Sequence, residues 1–549
     1  LTGLLALALG GAVPAEAADR SAAALNALVK ARIADEAGQP AEALAALTSL
    51  ASLAPQLPGL RGRILEQAIE AGDLVAARGA AARLWADGDR RFDAMLVLLV
   101  DAMRRSDWKA ARAYLSARSD KTGGDAALRL VQPGFQAWID VGARAPEPER
   151  PLLAAAGQGR PEPAITMEAA LVRLVSGRKS DAVELAEATV LTDRTSQLVA
   201  LRLAATLDRA GESKAAKALR ERTVLAAGVR EDPLLLLPDQ PVTSARGGGA
   251  HWIGLLADGL SRMPGSPPRA ALLFARSAHW LDDRDWTAQS ALVEVLGRGG
   301  RERAALALLE TERATLPPVL EMRRAELLAE TGNPGAAVRL AEAAVRNDPA
   351  PRSLLIRFAD VARRADDPIA TARAYARLEA SLGDRREDEA LRGTLLIARA
   401  ELLLQADDWD GARPLLEKAV TLRPDDPEIL NFAGYSALER RKDVAGALAR
   451  IEAAWQREPQ SAAITDSLGW AYFLTGRVDK AVPLLEKAER GDPENAVIVE
   501  HLGDAYWQAG RRFEARNTWR AAMPLAEDAM TARLSAKLAD GLTPATTAP

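Results

Sequence analysis

Cysteine is missing from all 549 residues, which removes disulfides, thiolate metal sites and a lipidated N-terminal cysteine together. Histidine is scarce. The three present, His251, His279 and His501, lie far apart, and none forms an H-E-x-x-H pair. No G-x-S-x-G nucleophile elbow occurs, and Gly247-Gly248-Gly249 lacks the Gly-Lys-Ser/Thr that completes a phosphate loop. That glycine run reads as a flexible connector. The acidic stretches "DDRDW" at 282–286 and "DDWD" at 407–410 do not make calcium loops. Counted from Asp282, Thr287 and Val293 stand where an EF-hand needs glycine and glutamate. Both stretches read instead as turns in which an aspartate caps a helix. With no catalytic constellation left, the chain reads as a non-enzyme that needs no cofactor and no metal. Excess charge is also lacking. Lys+Arg number 71 and Asp+Glu 75, a net −4 that offers no basic field for nucleic acid or an anionic membrane.

What the chain does have is alanine, leucine and a period. It is 48% hydrophobic but only 4% aromatic, so small apolar residues carry the core and helices can approach closely. Alternation of β-branched residues, the mark of strands, is nearly absent. Leu468-Gly469 and Tyr472 return 34 residues later as Leu502-Gly503 and Tyr506. Gly476, Ala481 and Ala488 return as Gly510, Ala515 and Ala522, and earlier copies stand at Ala447, Ala454 and Pro459. One extra residue in "ERRKD" shifts the preceding set to Ala412, Ala419 and Pro424. Upstream the signal thins to Gly332, Ala337, Ala344 and Pro349, to Gly177 and Ala182 followed by Gly211 and Ala216, and to Gly38 and Ala43 followed by Gly72 and Ala77. A fixed period of this length implies a repeat array in which each unit packs only on its neighbours.

Leu468, Gly469, Tyr472, Ala481, Ala488 and Pro493 meet nearly all of one known pattern, and on them the chain resembles the tetratricopeptide repeat family. The resemblance implies an all-α fold, an α-solenoid of helix-turn-helix units. It also implies that the first helix of each unit lines a groove for other proteins or peptides. Carried over position by position, the groove residues are Asn431, Tyr435 and Leu438, then Asp466, Trp470 and Phe473, then Glu500, Asp504 and Trp507. Tyr472 belongs to the core of the repeat, whereas Trp470 either faces the groove or packs on the adjacent helix. Family members that clamp a C-terminal carboxylate use basic residues and asparagine at these positions; only Asn431 matches in type, so an apolar or basic partner is expected. The stretches "ILNFAGYSALERR" and "ITDSLGWAYFLTGR" also resemble a group of bacterial exported repeat proteins, among which is an adaptor for a periplasmic protease.

The opening "LTGLLALALGGAVPAEAADR" is an apolar run ending in Ala15-Glu16-Ala17, the pattern of a signal-peptide cleavage site before Ala18. It is too short to span a bilayer. The expected organisation is then a signal-peptide remnant at 1–17, degenerate repeats at 18–142, a Pro/Gly-rich joint at 143–164 and further degenerate repeats at 165–228. A linker or crossover follows at 229–268, repeats at 269–390, a well-formed array at 391–541 and a disordered tail at 542–549. The function expected is an exported, periplasmic protein–protein interaction scaffold, serving a protease or an envelope-assembly complex. A cytoplasmic scaffold, or a hydrolase with a carboxylate site in the groove, are the alternatives. N-terminal sequencing of the native protein from periplasmic extract should begin at Ala18; an intact Leu1, or retention in the cytoplasm, removes the export reading.

Overall fold

A computed structural model describes residues 15–117, 124–156, 162–227, 236–265, 268–310, 315–347 and 349–548. The apolar run up to residue 14 lies outside the described residues. Among those described there are 29 α-helices and no strand. In chain order they are α1 (Ala15–Glu36), α2 (Pro40–Leu53), α3 (Leu60–Ala71), α4 (Leu74–Ala86), α5 (Phe92–Arg104), α6 (Trp108–Ser116), α7 (Gly124–Gly142), α8 (Arg150–Ala156), α9 (Pro163–Val175) and α10 (Lys179–Ala188). Then come α11 (Arg194–Arg209), α12 (Ser213–Ala227), α13 (Ala245–Arg262), α14 (Pro268–Leu281), α15 (Trp286–Arg298), α16 (Glu302–Glu310), α17 (Pro318–Glu330), α18 (Pro334–Ala344) and α19 (Arg352–Arg364). The last ten are α20 (Pro368–Ala380), α21 (Arg386–Gln405), α22 (Trp409–Leu422), α23 (Pro427–Glu439), α24 (Val444–Arg457), α25 (Ala462–Leu474), α26 (Val478–Gly491), α27 (Ala496–Gln508), α28 (Arg512–Ala522) and α29 (Asp528–Asp540). They fall into two compact units, residues 1–365 and 366–549.

Most helices pair with the next as antiparallel hairpins, α25 with α26 and α27 with α28 among the most extensive. The turn inside a hairpin is tight. Gly476 and Gly510 follow the first helices in the left-handed conformation, at φ 76° and 80°. Each lets the next amide return to the helix, Arg477 N to Tyr472 O at 2.8 Å and Arg511 N to Tyr506 O at 2.8 Å. Arg441 holds the same place at φ 52°, where a side chain costs about 1–2 kcal/mol. The extra residue of "ERRKD" is accommodated here: Asp443, also left-handed, caps α24 through Gly446 N at 3.2 Å. Asp285 and Asp408, from the two acidic stretches, likewise cap α15 and α22, each accepting an amide at 2.9 Å.

The first unit departs from the expected layout at residues 229–268. Residues 236–265 are not a linker, and the glycine run is not a connector. Gly247–Gly249 lie in α13, where Trp252, Ile253 and Leu255 are buried. Gly248 is there because α7 comes so close. A Cβ on Gly248 would fall inside the ring of Trp138, and one on Gly134 of α7 would fall inside the ring of Trp252. The two tryptophans thus seat reciprocally in two glycine notches. Trp252 Nε1 donates to Val131 O at 3.0 Å. Trp138 Nε1 donates to Glu168 Oε1 of α9 at 2.8 Å, and His251 Nδ1 lies 3.1 Å from the other carboxylate oxygen. All three polar side chains are at most 1% exposed. Further along, Arg202 of α11 ties Gln240 O (2.9 Å) to Asp285 Oδ2 (2.6 Å), and Trp280 of α14 donates to Gly72 O at 3.1 Å. Arg276 of α14 donates to Glu70 O at 3.0 Å, and burial pushes its guanidinium down to about 10. The chain therefore returns on itself within this unit, and α13 and α14 are core.

In the stretch 143–164, α8 forms a short helix with Leu152 buried, and Glu149 takes ion pairs from Arg173 and Arg178. The tail 542–549 also departs from expectation. Residues 542–548 are packed rather than disordered: Leu542 joins the Trp519 cluster and Ala548 is 5% exposed. Gly248→Ala is expected to destabilise the protein by about 1–3 kcal/mol through overpacking. Gly79→Ala, on a helix with nothing within 4 Å of the new methyl, should stabilise it by up to about 1 kcal/mol. Melting curves of the two variants should shift in opposite directions; shifts of the same sign contradict the notch.

Candidate functional site

In the second unit α23, α25 and α27 are the first helices of three successive pairs, and each carries a glycine notch filled from its own second helix. A Cβ on Gly434 would lie 2.7 Å from Ile451 Cγ1, and one on Gly469 2.7 Å from Leu485 Cγ. On Gly503 it would meet the ring of Trp519. Close approach brings the tyrosines within reach of the preceding pair. Tyr472 Oη donates to Glu452 Oε1 at 2.8 Å and Tyr506 Oη to Glu486 Oε1 at 2.9 Å. Burial and the glutamate together push the Tyr506 phenol up to about 12. Tyr472 is thus a tie between repeats, as its place in the repeat pattern requires.

The face by which the first helices meet one another holds the residues expected to bind a partner. Asp466 of α25 is buried, with both carboxylate oxygens 2.9–3.0 Å from His501 Nδ1 on α27. Trp470 is 0% exposed. Its ring stacks on His501 at 4.0 Å and on Phe473 at 4.6 Å, both nearly parallel. Of the two placements open to Trp470, the structure has the ring packed on the neighbouring helix. Glu500 and Asp504 of α27 are also fully buried. Arg533 of α29 grips Glu500 with Nε at 2.8 Å and Nη2 at 2.6 Å, while Lys537 Nζ lies 2.7 Å from Glu500 and 2.7 Å from Asp504. Asp504 further accepts from Trp519 Nε1 at 2.9 Å and from Ala548 N at 3.0 Å. Burial pushes both carboxyls up. At Glu500 the Arg533 and Lys537 hydrogen bonds outweigh it and the carboxyl falls below its usual range, whereas at Asp504 burial wins and it rises.

Asn431, Tyr435, Phe473 and Trp507 remain partly open. Asn431 Oδ1 is a buried acceptor with no hydrogen-bond partner among the described residues, and the buried His501 Nε2 has none there either. Burial, reinforced by Glu439, Asp466 and Glu500, pushes the Tyr435 phenol up. Trp507 lies 5.4 Å from Trp519, with the Arg512 guanidinium 4.8 Å over its ring and Gly541 pressed on its edge. The expected groove residues therefore share one neighbourhood, but four of them are sealed by His501, Arg533, Lys537 and the tail. Sequence reasoning passed over those partners. Their signal was present as complementary spacing: Glu500-x-x-x-Asp504 on one helix and Arg533-x-x-x-Lys537 on the next.

A cleft of about 660 Å³ lies in the first unit, between α2–α3 and α14–α15. Its charges answer one another, Arg91 with Glu66 (3.1 Å) and Asp93 (2.7 Å), and Arg301 with Glu70. No group of three metal-binding side chains occurs among the described residues, and no described helix is long and apolar enough to cross a membrane.

Stacked helix hairpins of this kind define an α-solenoid. A tetratricopeptide repeat model matches residues 394–436, from α21 through α22 into α23. No curated protein matches the chain. Among solved structures, MamA (41-end) from Desulfovibrio magneticus RS-1 is 21% identical over 32% of this chain and 94% of its own, with a TM-score of 0.27. YrrB, described as a TPR protein with an unusual peptide-binding site, is 18% identical over 33% and 90%, at 0.26. Yeast Tom70 is 12% identical over 94% and 95%, at 0.34.

Trp470→Ala should lower folding stability by about 3–5 kcal/mol, the cost of an aromatic-sized cavity. Urea unfolding followed by helicity checks this. A loss under about 1 kcal/mol would mean that the ring is not held between His501 and Phe473.

Proposed function

We propose that this protein is a protein–protein interaction scaffold that uses the first helices of its second unit to hold a partner segment. The observation that supports it most is the face shared by α23, α25 and α27, where aromatic rings and carboxylates from three successive helices are gathered with Asn431, Tyr435 and Phe473 still partly open. Asn431 Oδ1, an acceptor without a hydrogen-bond partner among the described residues, favours a ligand that donates a hydrogen bond. A half-open aromatic beside polar anchors suits a peptide, since such residues carry most of the energy at protein interfaces. We place the protein in the periplasm, as an adaptor for a protease or an envelope-assembly complex, on the Ala15-Glu16-Ala17 pattern and the likeness of roughly residues 230–525 to exported repeat proteins.

Affinity purification of the wild type and of Tyr435→Ala/Phe473→Ala from envelope extract, read by mass spectrometry, tests this. A partner held by the wild type and reduced about thirtyfold or more in the variant, with helicity unchanged, is the expected result. Equal capture by both proteins removes this face from the function.

A further inference from the structure

The carboxylates of α27 already hold an occupant, and it comes from the chain itself. Glu500 and Asp504, one helical turn apart, receive Arg533 and Lys537, one turn apart on α29, in five hydrogen bonds of 2.6–2.8 Å. Beyond α29 the chain turns at Gly541, against Trp507, and runs back along α27 until Ala548 N reaches Asp504 at 3.0 Å. This segment covers Glu500, Asp504 and Trp507, three of the residues expected to bind a partner.

Of the 13 residues of α29 only Leu534 and Lys537 are buried, with Met530 and Leu538 half-buried against the Trp519 cluster. Leu542 extends that apolar contact, and Met523 and Ala526 before the helix pack on the same cluster, so the segment is held by its two cations and by this contact together. Glu500 and Asp504 meet water, as a socket for two cations, only when the segment lifts off.

We infer that Asp528–Ala548 is an intramolecular stand-in for the partner, and that the partner that replaces it presents a helix with arginine and lysine four residues apart. The inference rests on the protein-binding reading above and names its ligand. Asp466 with His501, one repeat earlier, extends the same acidic line toward Tyr435. A tethered segment competes at an effective concentration on the order of millimolar, so a partner must either match its charges or meet a loosened segment.

The test uses full-length protein and a fluorescein-labelled peptide with the sequence of residues 528–548. Arg533→Gln/Lys537→Gln weakens the protein's own segment and leaves the socket intact. This variant should bind the peptide at least about tenfold more tightly than the wild type does. A peptide carrying the same two substitutions should bind neither protein. Equal binding by wild type and variant, no binding to either, or retained binding of the substituted peptide overturns the inference. Should the variant lose helicity, a second protein with a ten-residue glycine-serine insertion between Ala526 and Glu527 keeps every contact of the segment with α27 and lowers its effective concentration. It too should bind the peptide more tightly, and no change overturns the inference. A partner whose capture depends on Tyr435 and Phe473, yet is the same in wild type and Arg533→Gln/Lys537→Gln, leaves the protein-binding reading standing and removes this one.

Discussion

A large side chain seated over a helical glycine is the contact on which the other contacts depend. In the second unit Ile451, Leu485 and Trp519 rest on Gly434, Gly469 and Gly503, each from the second helix of the same pair. Glycine inside a helix costs about 1 kcal/mol against alanine, and the packing that it permits has to offset this. What it permits is proximity. Only with the hairpin closed this far does Tyr472 reach Glu452, or Tyr506 reach Glu486, to tie one pair to the next. The first unit uses the same device between helices far apart in sequence, with Trp138 on Gly248 and Trp252 on Gly134. There it holds a returning stretch of chain against an earlier one.

Close packing also carries charge inside, and the second unit answers each charge from a neighbouring helix. Asp466 meets His501, and Glu500 and Asp504 meet Lys537. Buried ion pairs of this kind add little net stability over apolar packing, but a carboxylate left without its partner costs several kcal/mol. The pairing therefore selects which helix lies beside which. Helix α29 supplies cations where another repeat would supply its first helix, and the tail closes over the remaining carboxylate oxygen.

The repeat itself was legible. Gly469, Tyr472, Gly476 and Ala481 could be placed from a 34-residue spacing, because notch, tie and turn are set by contacts within a unit or with the next one. Asp285 and Asp408 could be placed as caps for the same reason, since a cap reaches only three residues along the chain. The glycine run and the tail were misread. Three consecutive glycines have the composition of a connector, and nothing within 30 residues of Gly248 shows that Trp138 will lie on it. Trp470 stood between two roles because a helical position fixes the direction of a side chain and leaves open what covers it.

By itself, then, the sequence determined the all-α hairpin, its period and the places where two helices touch, since each follows from local propensity and near-neighbour packing. Tertiary structure alone decided that α13 is core, that Trp470 is sealed beneath His501 and Phe473, and that Arg533 and Lys537 fill the face beside it. Burial and charge pairing belong to the set of neighbours a residue acquires, and those neighbours are brought together only when the chain has folded back on itself.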